Sequence, residues 1–89
     1  MAKHDKYTEK NLKKIGARIK QLRKEKGFTN YEQFAYTHQI SRAQYGRYEK
    51  GSDMRLSSFI KVLKALDVSW VDFFSEGFDN SESKEATSD

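Results

Sequence analysis

The sequence predicts an all-α domain of five short helices around a single core. Three observations carry that reading. Apolar residues recur three and four positions apart between residues 11 and 74, no segment alternates with a period of two, and glycines or hydroxyl-bearing capping residues separate the periodic stretches. At 89 residues without cysteine or proline, the chain holds one domain at most, with no disulfide framework and no thiolate metal site.

Leu12, Ile15, Ile19 and Leu22 place the first helix from about Asn11 to Lys26, and Gly27 ends it. Residues 1–10 are charged and lack the apolar stretch of a signal peptide, so they read as a flexible basic leader. Thr29 or Asn30 caps a second helix, since Glu32 and Gln33 follow each by three positions, and Phe34 and Ala35 face inward. After a break near Gln39, Ser41 is a suitable N-cap for a third helix ending at Gly51. Leu56, Phe59, Ile60, Leu63 and Leu66 fit a fourth. Ser69 opens a short fifth, with Asp72 at the capping-box position and Phe73 and Phe74 closing the core. The domain therefore spans residues 11–74, and residues 75–89, polar and acidic, read as a disordered tail.

Charge is distributed unevenly. Residues 75–89 hold five acidic residues against Lys84, a net of −4; the whole chain is +4, so residues 1–74 carry +8. A module that basic suits a polyanion, either nucleic acid or an acidic membrane surface. Residues 1–30 alone carry ten lysines and arginines against three acids. The apolar stripe of helix 1 is narrow and has no interfacial aromatic residue, which favours core packing over a membrane surface. No apolar run approaches a membrane span, and a reducing, cytoplasmic setting is expected.

The order and spacing of IGARIKQLRKEKGFT, FA, ISRAQYGRYEKG and FIKVLKALDVSWVDFF give a narrower indication. From about Ile15 to Phe74 the chain resembles the Xre/Cro family of phage-repressor-like helix-turn-helix proteins. The resemblance implies a five-helix phage-repressor-like helix-turn-helix fold, binding of operator DNA as a homodimer, and transcriptional regulation of the repressor kind. Many such proteins also bind a partner protein such as a toxin, and an antitoxin or adaptor module is the alternative reading. Arg23 and Glu49 match the family's paired arginine and glutamate, which tie helix 1 to the end of helix 3. Three departures stand out. One extra residue between Thr29 and Phe34 leaves either Asn30 or Tyr31 in the place of the family's phosphate-contacting glutamine. His38 and Gln39 stand where an aliphatic residue and a glycine are usual, and Asp67 replaces a common glycine after helix 4.

With Tyr45 pointing into the core, a 100° step per residue turns Ser41, Tyr48 and Glu49 the same way. Ala43, Gly46, Arg47 and Lys50 fall on the far side, with Arg42 and Gln44 flanking the helix start. Arg42, Ala43, Gln44, Gly46 and Arg47 are thus the candidate base readers: arginine forks suit guanine O6 and N7, and a glutamine amide suits adenine. Asn30, Tyr31, Ser41 and Lys50 are the candidate phosphate contacts, which fix register without reading sequence. Gly46 is costly in mid-helix and is expected to make room for the duplex, the alternative being room for another helix.

Trp70, Val71 and Phe78 are candidates for a dimer or partner surface. His38 is expected to be partly buried and hydrogen-bonded, and His4 lies in the leader; two histidines so far apart make no metal site. No nucleophile with a base, no glycine-rich phosphate loop and no carboxylate cluster points to an enzyme, and no cofactor is implied.

Overall fold

The computed structural model describes residues 4–78. Five helices follow in order: α1 (Lys6–Glu25), α2 (Tyr31–Thr37), α3 (Arg42–Glu49), α4 (Leu56–Leu66) and α5 (Trp70–Phe73), with no strand among the described residues. Ile19, Phe34, Tyr45 and Phe73 are fully enclosed, one each from α1, α2, α3 and α5, and Val62 of α4 lies beside them. Burying such side chains contributes about 1.5–3 kcal/mol apiece, which is where a small domain must find its stability.

α1 starts at Lys6, well ahead of the predicted Asn11. The Asp5 carboxylate accepts the Thr8 amide N–H at 2.7 Å and so caps the helix. That hydrogen bond holds the Asp5 carboxyl below its usual range. Apolar periodicity reports burial, and residues 6–10 face mostly solvent, so the periodic signal begins later than the helix does. Residues 6–10, expected in a leader, are therefore helical; residues 1–3 lie outside the described residues.

The other end also departs from expectation. Phe73 is buried, but Phe74 is 42 % exposed, because consecutive residues of a short helix diverge by about 100°. Phe78 turns back onto the core instead, with ring centroids 5.9 Å from Phe73 and 4.9 Å from Phe74. Phe78 thus joins the packed chain while residues 75–77 stay exposed; the rest of the predicted tail, residues 79–89, lies outside the described residues. On α4 the buried stripe is Phe59, Val62, Leu63 and Leu66, while Leu56 and Ile60 form its exposed edge.

Arg18 does work that periodicity did not reveal. Its side chain is 5 % exposed. Nε donates to the Phe73 carbonyl and Nη2 to the Asp72 carbonyl, both at 2.7 Å, and Nη1 donates to Gln21 at 3.0 Å. The guanidinium thereby caps the C-terminal carbonyls of α5, where a cation is favoured. Gly16 was equally silent: a Cβ there would lie 2.6 and 2.7 Å from the Tyr48 and Glu49 carbonyl oxygens. Without one, α1 meets the backbone at the end of α3 directly.

α3 is held at that end by a fork. Arg23 Nε and Nη2 each donate to one Glu49 carboxylate oxygen at 2.9 Å, and Nη1 donates to the Phe28 carbonyl at 2.8 Å. The two side chains are 4 % and 7 % exposed. The Glu49 carboxylate raises Arg23 further above its already high range. The Tyr45 hydroxyl lies beside the pair but finds no hydrogen-bond partner among the described residues. Burial first, and then the Glu49 carboxylate, push its pKa far upward, so it stays neutral.

Both positions that lack the family's usual glycine keep the left-handed backbone: Gln39 and Asp67 each have φ of 59°. The turn between α2 and α3 is therefore conventional in shape and strained in substance. Left-handed geometry costs a side-chain-bearing residue roughly 1–2 kcal/mol, against roughly 0.5–1 kcal/mol of extra chain entropy for glycine. Gln39→Gly is accordingly expected to stabilise the domain by up to ~1 kcal/mol in chemical denaturation; a lower midpoint would show that the Gln39 side chain contributes more than its strain costs. Glu49→Ala leaves Arg23 with only the Phe28 carbonyl in a buried site, and stability is expected to fall by about 3 kcal/mol. An unchanged denaturation midpoint would rule out that role for the pair.

Candidate nucleic-acid interface

The α2–turn–α3 unit is built from two caps and one apolar wedge. Asn30 Oδ1 accepts the amide N–H groups of Glu32 at 2.7 Å and Gln33 at 3.3 Å, so Asn30, not Thr29, caps α2. Ser41 Oγ accepts from the Gln44 N–H at 3.4 Å, a long bond that caps α3 loosely. Between them Phe34 and Ala35 are buried, and the His38 ring packs at 4.6 Å from Phe34 and 6.0 Å from Phe28. A flat ring replaces the aliphatic side chain there without opening the core.

Packing α3 on α1 and α2 decides which of its side chains remain free. Tyr45 and Tyr48 are buried, Glu49 is held by Arg23, and Arg42, Ala43, Gln44, Arg47 and Lys50 are exposed. The exposed set forms a surface with two arginines, a lysine and an amide around one small residue. Beside it, Gln44 and Arg47 line an open groove shared with Ser52, Asp53 and Arg55 of the following loop and Ser58 of α4.

Gly46 is the correction. It is half-buried, and a Cβ on it would stand 2.9 Å from Tyr31 Cε1, 3.2 Å from Cζ and 3.3 Å from the hydroxyl oxygen. Its space is occupied by a ring from α2, so the helix–helix alternative holds and Gly46 does not lie open on the outer face. The 100° projection missed this because it tracks direction around one helix and contains nothing about the neighbour's reach. Of the two candidates at the start of α2, Asn30 accepts the α2 amides with its carbonyl oxygen, and Tyr31, the first residue of the helix, is 38 % exposed.

Among the described residues no group of three or more His, Cys, Asp or Glu side chains is placed to hold a metal ion, and no helix is long and apolar enough to cross a membrane. No curated protein and no solved structure gives a significant match to the chain. The family model described as helix-turn-helix matches residues 19–73, from the buried Ile19 of α1 to the buried Phe73 of α5. That match covers more than half of the chain and includes both helices of the turn unit, and the chain belongs to the helix-turn-helix family of Xre/Cro-like DNA-binding proteins.

Proposed function

We propose that the protein is a transcriptional regulator of the repressor kind that binds double-stranded DNA sequence-selectively, with α3 in the major groove. The observation that supports this most is the division of α3 into a buried half and an exposed half bearing Arg42, Gln44 and Arg47. A helix presenting only long polar side chains and an alanine to solvent fits a groove about 12 Å wide. Arg42, Ala43, Gln44 and Arg47 are assigned to base edges, and Ser41, Lys50 and Tyr31 to the phosphates on either side. Asn30 borders that backbone and keeps its amide donors for it. Such a regulator works in the cytoplasm and performs no catalysis.

A second observation favours protein partners as well. Leu56, Ile60, Trp70, Val71 and Phe74 are 42–79 % exposed on α4 and α5. Trp70 and Phe74 both border Phe59, at ring distances of 5.5 and 6.1 Å, so the patch continues outward from the core. Phe78, expected here, faces inward instead. We assign the patch to a second copy of the chain; a partner protein such as a toxin is the alternative occupant, and an adaptor role would follow from it.

A two-fold dimer predicts near-palindromic sites in selection from a random duplex library, with half-site centres about 34 Å apart. Isolated half-sites bound by a monomer would count against the dimer. Base reading and charge attraction separate by mutation. Arg47→Ala is expected to lower affinity for the selected site by ~1–3 kcal/mol and barely to affect random duplex. Lys50→Ala should weaken both alike and reduce the salt slope by about one. Titrations at several salt concentrations decide. Equal loss on both duplexes for Arg47→Ala would make α3 an electrostatic contact only, and no change for either variant would move DNA binding away from this face.

A further inference from the structure

We propose that Gly46 is a positioning residue for Tyr31, and that the Tyr31 hydroxyl meets the duplex as part of the same rigid surface as α3. This rests on the reading of α3 as the groove-bound helix.

The geometry is specific. Tyr31 stands at the first position of α2, yet its ring crosses to α3 and occupies the space that a side chain at residue 46 would fill. The hydroxyl oxygen lies 3.3 Å from that would-be Cβ, next in the chain to Arg47 and one turn beyond Ala43. Its ring also lies 6.4 Å from that of Tyr45, which ties it to the core side of α3. Tyr31 is 38 % exposed although its ring lies against α3, and an aromatic side chain has few torsions to immobilise on binding. A phenol hydroxyl offers a phosphate one neutral hydrogen bond, and so adds affinity without releasing a counterion. Alanine at 46 would stand 2.9 Å from Tyr31 Cε1 and force the ring to shift, the hydroxyl with it, while raising the helix propensity of α3.

The experiment is a double-mutant cycle on the full chain, reading affinity for its selected duplex against salt. Tyr31→Phe is expected to weaken binding by roughly 3- to 10-fold, the size of one hydrogen bond, with an unchanged salt slope. Gly46→Ala should cost a similar factor, and Gly46→Ala combined with Tyr31→Phe no more than either alone, because both remove the same contact. Multiplicative losses would overturn the proposal, since residue 46 would then act on the duplex independently of Tyr31. So would an unchanged affinity for Tyr31→Phe, which needs no change in packing and keeps the test available even if Gly46→Ala folds poorly. Arg47→Ala run in parallel separates the two readings: if it loses specific binding while the cycle is multiplicative, only the Gly46–Tyr31 coupling fails. If the unmodified chain binds no duplex, both fall.

Discussion

The Arg23–Glu49 fork is the contact on which the placement of α3 depends. An eight-residue helix is far too short to persist by itself, so its order and its angle come from what it touches. At its start the Ser41 cap is long, and at its end Glu49 is gripped by two 2.9 Å hydrogen bonds from one rigid guanidinium. The third arm of that guanidinium holds the Phe28 carbonyl, so α1, the loop before α2 and the end of α3 share one node. A buried pair of this kind adds little net stability over a well-packed apolar substitute, but a planar fork admits only a narrow range of angles. Directional constraint is what a helix presenting side chains to a partner requires.

Two missing side chains complete that constraint. Gly16 lets α1 press on the last carbonyls of α3, and Gly46 lets a ring from α2 lie along its middle. The short helix is therefore gripped from both flanks, and each grip depends on the absence of a Cβ. The exposed residues between the flanks inherit their positions from contacts made on the opposite side of the helix.

The helices were legible because their signals are local. Ser41 and Ser69 stand where caps are read directly from the chain, the cap of α2 is narrowed to Thr29 or Asn30, and the spacing of Ile19, Leu22, Phe59, Leu63 and Leu66 follows the face that became buried. Taking Tyr45 as inward was enough to place Ala43, Arg47 and Lys50 on the exposed side, with Arg42 and Gln44 beside them, but it also turned the exposed Ser41 inward. What stayed hidden depended on partners distant in sequence or on solvent. The first turn of α1 is exposed and carries no apolar period. Arg18 reads as one more cation on a basic helix until α5 arrives over it. Gly46 reads as open space until Tyr31 fills it. Glycine inside a helical pattern was the available hint at both 16 and 46, but a glycine reports only that something comes close.

Arg18 also ties α1 to α5. Its carbonyl partners lie 54 and 55 residues further along the chain, and the four-residue α5 that supplies them cannot form in isolation. Until Asp72 and Phe73 have been synthesised, the guanidinium lacks both of those carbonyl acceptors. Without α5 the guanidinium would keep only Gln21 of its own helix as a partner, and the enclosed Phe73 ring would be missing from the core. The packing of α1 thus depends on two carbonyls supplied by α5, 54 and 55 residues further along the chain.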